Sequence, residues 1–411
     1  MRKYLGEPEQ AQTVICVSFS PSTQSIILDP DITQEEYQDR LSKAQRLLKQ
    51  YGLDGLLLTQ WENIYYMTGF MGTEAQCCRD TPHAVIVRRD GDAVLIIPEY
   101  KRPAAESAVW TKELRGYNPL KEFGNTLIKT FAELGLKSAK IGTELGDSVR
   151  MSCVPVHAYL DLIKAIGNNF VDGAELIWKL RMVKSKSELD RIRIAAKAAS
   201  RAADRAFGEI REGMTEREFA HIIGLRMMEE GASRPHIIVC TSGDKFRSGV
   251  VGDFAGGRKI CRGEYVDIDF LALYRHYVCD LHRVAFFGGQ PPKSEIDHYQ
   301  LYIDANKKGA EALRPGVTAS DVYKAEAEVF EEAGMRVESF LLGHGIGLEA
   351  REPPIIARDN TTVLESGMVF SIEPQGIPNA QGVAFNCEDN VAVTETGHEL
   401  LSTISRELRI I

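Results

Sequence analysis

The chain predicts a two-domain α/β protein in which the larger, carboxy-terminal domain contains two copies of one structural unit. Three observations carry that expectation. With 411 residues and 44% hydrophobic content, the chain can build two sizeable cores. Before about residue 175, short apolar strand patterns alternate with amphipathic helical ones, the signature of an α/β domain. Beyond it, the series Arg211, Gly213, Thr215, Glu218, Gly231 returns as Arg314, Gly316, Thr318, Asp321, Gly334. Each series then runs to an acid six residues past a glycine, Gly263 to Asp269 and Gly367 to Glu373. That is an internal repeat, and two copies of one unit would bring their acids together across a pseudo-twofold axis.

The elements follow in order. Residues 1–30 lack helical periodicity and contain Pro21 and Pro30, so they read as an arm with a short strand at Thr13 to Ser18. The first domain spans 31–175. Thr33-Gln-Glu-Glu36 is a capping box for a helix to about Gln50, with Leu41, Ala44, Leu47 and Leu48 facing the core. Asp54 to Thr59 is a buried strand, further strands fall at Ala84 to Val87 and Ala93 to Ile97, and helices fall near 121–134 and 154–165. The second domain covers 176–411, its long alanine-rich helix capped at Ser185-Lys-Ser-Glu188. Within each repeat, the glycine after the arginine is placed to end a helix, and Thr215 with Glu218, or Thr318 with Asp321, to cap the next.

The strands closing each repeat carry the chemistry. Asp280 lies eleven residues after Asp269, which suits a hairpin whose arms return to one point, and Glu388 follows Glu373 across a connection containing Gly376, Pro378 and Gly382. Between them, the small residues of Gly343-His344-Gly-Ile-Gly347 let backbone pass close to whatever His344 holds. Four carboxylates around one imidazole, buried without partners, would cost more than a domain's net stability. Two divalent cations remove that cost. Oxygen-rich ligation without cysteine favours manganese first, with iron, cobalt or zinc as alternatives.

Asp269, Asp280 and Arg283, Gly343 to Gly347, Ser371-Ile-Glu373-Pro374 and Glu388-Asp389-Asn390 together resemble the pita-bread metallohydrolases, specifically the creatinase, prolidase and aminopeptidase P branch. The resemblance implies a smaller creatinase-type amino-terminal α/β domain and a pita-bread α/β catalytic domain. It makes Asp269, Asp280, His344, Glu373 and Glu388 the ligands of two metal ions, and Xaa-Pro dipeptidase-like C–N hydrolysis the expected activity. It also implies a homodimer or higher oligomer, with the aromatic cluster Trp61, Tyr65, Tyr66 and Phe70 at a mouth that can close a partner's site; core packing is the plainer reading of those rings. Cys77-Cys78-Arg79-Asp80 adjoins that mouth.

Two positions depart from the pattern. Relatives carry a histidine in the loop after Ser242-Gly243, yet Asp244 to Gly249 contains none; a second expected histidine is replaced by Arg351. A guanidinium cannot act as a base but can clamp a carboxylate, so Arg351 is a candidate anchor for a substrate carboxylate, with an ion pair to Glu349 or Glu352 as the alternative. Arg247 is a weaker candidate for the same task, and His236 a candidate pocket residue. With Glu373 as general base, His282, two residues beyond Asp280 and on the same strand face, is the candidate for returning a proton to the leaving nitrogen. The open alternatives are a creatinase- or ectoine-hydrolase-like enzyme on a small nitrogenous metabolite, a metal-dependent lyase of the dimethylsulfoniopropionate-cleaving type, and a non-enzymatic binding module.

Composition sets the remaining expectations. A formal charge of -9 argues against a nucleic-acid partner, and no apolar run of transmembrane length or signal-peptide core appears. The eight cysteines, at positions 16, 77, 78, 153, 240, 261, 279 and 387, form no zinc pattern or disulfide framework, which predicts reduced thiols and a cytoplasmic location.

Overall fold

The computed structural model describes residues 32–72, 81–145, 154–247 and 254–411. The expected arm, its strand at Thr13 to Ser18 and the Cys77 to Asp80 segment lie outside these residues.

In the first domain, Thr33 Oγ1 accepts the Glu36 N–H at 3.2 Å and starts α1, Gln34–Gln50. Tyr37, Leu41, Ala44 and Leu48 are buried and Leu47 half-buried, giving the stripe its 3.6-residue spacing predicts. There follow β1 (Gly55–Leu58), α2 (Trp61–Thr68), β2 (Ala84–Arg88), β3 (Val94–Pro98), α3 (Arg102–Ala108), β4 (Leu114–Tyr117), α4 (Phe123–Glu133), β5 (Ile141–Thr143), α5 (Val156–Ile166) and β6 (Phe170–Asp172), after which α6 (Ala174–Arg181) crosses the domain junction. They build one six-stranded mixed sheet, ordered β4-β3-β2-β1-β5-β6. Its strands are apolar on both faces because helices cover both. Leu56, Leu58, Val85 and Val87 pack with residues of α1 and α2, whereas Leu57, Ala84 and Ile86 pack with residues of α4 and α5. The aromatic cluster sits on and just after α2: Tyr65, Tyr66 and Phe70 are buried and Trp61 is half-buried against the same core.

The second domain opens with α7 (Lys186–Phe207), started by a complete capping box between Ser185 and Glu188. Next come α8 (Glu216–Glu229), β7 (Arg234–Ser242), the short α9 (Gly243–Arg247), and the long hairpin β8 (Glu264–Tyr274) and β9 (Tyr277–Phe287). The second copy comprises α10 (Lys293–Ala312), α11 (Ala319–Glu332), β10 (Leu341–Gly345), β11 (Glu352–Ala357), β12 (Val369–Ile372) and β13 (Asp389–Val393), followed by β14 (His398–Leu400) and β15 (Arg409–Ile410). Two sheets result, β15-β9-β8-β7 and β11-β10-β12-β13-β14. They meet where His282 bridges to Glu388 and the Asp280 N–H bonds to Asn390 Oδ1 at 3.0 Å.

The repeat is written into the backbone. Thr215 and Thr318 each form a full capping box, with Glu218 and Asp321 respectively. Gly213 donates its N–H to Ile260 at 2.9 Å, as Gly316 does to Leu364 at 3.0 Å. Both glycines have positive φ, 81° and 90°. One expectation is corrected: α7 and α10 end earlier, at Phe207 and Ala312. The two glycines instead form the left-handed turn that leads into the next helix, a conformation that side chains disfavour.

Candidate metal centre

Strand register assembles the site. Across the β8–β9 hairpin, Asp269 stands opposite His282, and Asp280 opposite Leu271. Cross-strand partners share a face, so Asp267, Asp269, Asp280 and His282 all project to one side. The second copy faces them with His344 on β10, Glu373 just past β12 and Glu388 just before β13.

The expected ligands come together. Asp280, His344 and Glu388 offer ligand atoms within 4.8 Å of one another, as do Asp269, His282 and Glu388. His344 Nε2 lies 3.6 Å from Glu373 Oε2 and 3.9 Å from Glu388 Oε1, while its Nδ1 is 3.1 Å from the Gly345 carbonyl. A nitrogen facing a carbonyl must be the donor, leaving Nε2 with its lone pair toward the carboxylates. Supporting hydrogen bonds fix the acids: Ser371 Oγ donates to Glu388 Oε1 at 2.5 Å and Asn386 Nδ2 to Glu373 Oε1 at 2.9 Å. Asn390 Nδ2 donates to the Asp280 carbonyl at 2.7 Å.

What remains is a surplus of acceptors. Among the described residues, Asp269 Oδ1, Glu373 Oε2 and Glu388 Oε2 are buried without a hydrogen-bond partner. Burial pushes Asp269 up to about 6, and burial together with neighbouring carboxylates holds Asp280 and Glu388 well above the usual carboxylate range. Burial acts on Glu373 in the same direction, but the neighbouring His344 ring and the hydrogen bond from Asn386 outweigh it and hold Glu373 below its ordinary value. Acceptor-only atoms at this depth fit divalent cations, which satisfy several oxygens at once and restore their charge.

Of the remaining candidates only His282 lies within the cluster. His282 is buried, with Nε2 2.5 Å from Asp267 Oδ1. Arg351 is exposed, forms no ion pair among the described residues, and acts on Asp280 through its charge. The alternative pairing with Glu349 or Glu352 is not what forms: Arg181 takes both glutamates, and Lys184 Nζ lies 3.4 Å from Glu352 Oε2. Arg247 is committed elsewhere, to Glu295 at 3.1 and 3.3 Å. His236 lines a cavity of about 440 Å³, with Trp61 and Glu62 from the first domain and Arg234, Leu273, His276 and Ala350 from the second. Leu273 lies on the same face of β8 as Asp269, so the cavity continues along the ligand-bearing face.

Sequence reading passed over Asp267, Asn386 and Arg181. Asp267 and Asn386 had a legible signal, since each stands two residues before an expected ligand on an extended segment and therefore points the same way. Arg181 had none, because its partners are far away in the chain.

Known proteins share this architecture. The model of metallopeptidase family M24 matches residues 190–395, and that of the creatinase/prolidase N-terminal domain matches 40–183. The Xaa-Pro dipeptidase of Pyrococcus furiosus is 31% identical over 378 residues, covering 90% of this chain and 99% of that protein. An Xaa-Pro dipeptidase structure from Bacillus anthracis superposes with a TM-score of 0.79 at 26% identity, covering 91% of this chain and 100% of the other. The Pyrococcus horikoshii prolidase structure gives 0.76 at 27%, covering 90% and 99%. With both family models matched in order along the duplicated scaffold and the domain before it, the chain belongs to metallopeptidase family M24, behind a creatinase/prolidase amino-terminal domain.

Proposed function

We propose that this protein is a dinuclear metal-dependent hydrolase that cleaves the C–N bond of a small carboxylate-bearing substrate, in the manner of an Xaa-Pro dipeptidase. The observation that carries it is the pair of overlapping ligand groups sharing Glu388. Asp269, Asp280, His344, Glu373 and Glu388 would hold two divalent cations, manganese first, with iron, cobalt or zinc as alternatives. Bound there, such ions supply Lewis acidity toward a carbonyl and lower the pKa of a water. Glu373 Oε2, without a partner while Asn386 fixes Oε1, takes the proton of the attacking water. Return of that proton to the leaving nitrogen falls to the protonated Glu373 rather than to His282, whose Nε2 is turned to Asp267.

Arg351, exposed and unpaired beside Asp280, is the proposed anchor for the substrate carboxylate. His236 contributes to the cavity wall, and Arg247, held by Glu295, drops out of the substrate set. The domain limits 31–175 and 176–411, a homodimer whose small domain closes the partner's mouth, and a cytoplasmic location complete the reading. Among the described residues no helix is long and apolar enough to cross a membrane, and Cys240, Cys261, Cys279 and Cys387 are free thiols.

Mass spectrometry of products from metal-loaded protein tests the activity against Xaa-Pro dipeptides, other dipeptides and N-acyl amino acids. Xaa-Pro cleavage with loss of affinity for carboxyl-amidated substrates is expected; elimination products would turn the reading to a lyase. Arg351→Ala should weaken substrate binding by about 2–5 kcal/mol, the cost of breaking a desolvated charge pair, measured as KM with kcat little changed. Sedimentation at working concentration tests the dimer, which a fully active monomer would exclude.

A further inference from the structure

Among the buried groups that the proposed chemistry leaves unused, His282 stands apart. We infer that His282 is itself a metal ligand, its Nδ1 completing with Asp269 and Glu388 a site that mirrors the one His344 forms with Asp280 and Glu388. The inference rests on the dinuclear metallohydrolase reading and adds a sixth ligand to it.

Position comes first. His282 is the cross-strand partner of Asp269 and bridges to Glu388, and one of its ring nitrogens lies within 4.8 Å of a carboxylate oxygen of each. The ring's two nitrogens are then assigned by their surroundings. Nε2 is 2.5 Å from Asp267 Oδ1, and the other Asp267 oxygen accepts from Thr241 Oγ1 at 3.3 Å, so the carboxylate orienting the ring is itself oriented. Toward a carboxylate, Nε2 is the donor. Among the described residues, Nδ1 is buried and finds no hydrogen-bond partner, and neither do Asp269 Oδ1 and Glu388 Oε2. As an N–H, Nδ1 would be a buried donor left unsatisfied, which is costly; as a lone pair it is one more acceptor among acceptors, and only a cation satisfies all three. A carboxylate on one imidazole nitrogen and a metal on the other is a recurrent arrangement that fixes the tautomer and raises ligand basicity.

The two ligand groups thereby become equivalent. Each has one imidazole and two carboxylates, with Glu388 common to both. A second imidazole beside His344 also makes the donor set richer in nitrogen, which, if the inference holds, moves the preference from manganese toward iron, cobalt or zinc.

The test uses the full chain, stripped of metal by a chelator and titrated with Co²⁺ by calorimetry and visible absorption. The native protein should bind about two ions. His282→Thr should weaken one binding class by about tenfold or more and alter the Co²⁺ absorption bands while leaving the other class in place. Asp267→Asn, which disturbs only the ring's orientation, should weaken the same class by about 10–100-fold. Two unchanged affinities and an unchanged spectrum in His282→Thr overturn the inference, though not the metallohydrolase reading. Failure of the native chain to bind any Co²⁺ overturns both. Should the variants not fold, as judged by circular dichroism, the native chain decides: with ¹⁵N-labelled histidine, loading with diamagnetic Zn²⁺ should displace the ring-nitrogen resonances of two histidines, and displacement of one alone overturns the inference.

Discussion

The two halves of the catalytic domain are alike in backbone and unlike in what they deliver. Both start their second helix with a full capping box and approach it through a left-handed glycine, Gly213 or Gly316, hydrogen-bonded to an equivalent carbonyl. The first half then supplies Asp269, Asp280 and His282 from a single hairpin. The second supplies His344, Glu373 and Glu388 from three separate strand ends, together with Ser371 and Asn386, which hold its own two glutamates, and Asn390, which holds the backbone of Asp280. Duplication thus fixed the frame, where backbone hydrogen bonds permit few residues, while the side chains on that frame diverged: the first half gathers its candidate ligands on one hairpin, and the second adds hydrogen-bonding partners to its own.

The most severe way to probe this division is to remove one ligand from each half. Asp280→Ala and Glu373→Ala should each lose bound metal and lower activity by about a thousandfold, the several kcal/mol that a two-metal site supplies. Inductively coupled plasma mass spectrometry on folded variants measures the first effect. If the hairpin variant lost metal while the Glu373 variant kept both ions, Glu373 would be no ligand, and its place in the shared site would fail. Full activity in thoroughly chelated native protein would remove the metal from the mechanism altogether.

A smaller effect separates the halves by their buried charge. Behind the Arg351 loop, Glu352 is fully buried between Arg181 and Lys184, and Arg181 Nη1 also donates to Asn63 of α2 at 2.8 Å, tying the first domain to the site. The first half has instead the partly exposed pair of Arg258 and Glu264 at 2.7 Å. Burial raises the Glu352 pKa, but the charges of Arg181 and Lys184 outweigh it and hold it below the ordinary value. A depressed folded pKa means stability that is present at neutral pH and is lost as pH falls through that value. Glu352→Gln should therefore cost about 3–5 kcal/mol at pH 7, with its difference from wild type shrinking below about pH 4. Glu264→Gln should cost about 1 kcal/mol or less. Guanidinium unfolding measures both, and equal losses would erase the contrast.

How much of this was legible follows the same division. Caps, repeat glycines and strand acids could be read because they act through short-range spacing: Thr215 with Glu218, Asp269 with Asp280. The glycine turns were misplaced by a few residues, since where a helix stops depends on the carbonyl that meets the next N–H, here Ile260 or Leu364. The partners of Arg181 and Arg247 were illegible for a related reason. Arg181 meets Glu349 and Glu352 across the domain junction, and Arg247 meets Glu295 of the second copy, 48 residues on. Charge alone could not say which of several arginines would remain unpaired, and Arg351 is left available because Arg181 and Lys184 occupy its acidic neighbours.

The smallest effect tests the likeness itself. In the first half, Thr215 Oγ1 accepts the Glu218 N–H at 3.1 Å; in the second, Thr318 Oγ1 accepts the Asp321 N–H at 3.2 Å. Each threonine satisfies a helix-terminal donor that the helix cannot satisfy itself. Thr215→Ala and Thr318→Ala should each cost about 1 kcal/mol, and the double variant about their sum, because separate sites without shared partners add within about 0.5 kcal/mol. Metal stoichiometry should stay unchanged in all three, since neither threonine touches a ligand. Urea unfolding at one fixed pH reads the difference. A silent Thr215→Ala beside a costly Thr318→Ala would mean that the first helix is held by its packing beneath the hairpin rather than by its cap, and that the two copies, alike in geometry, no longer share their energetics.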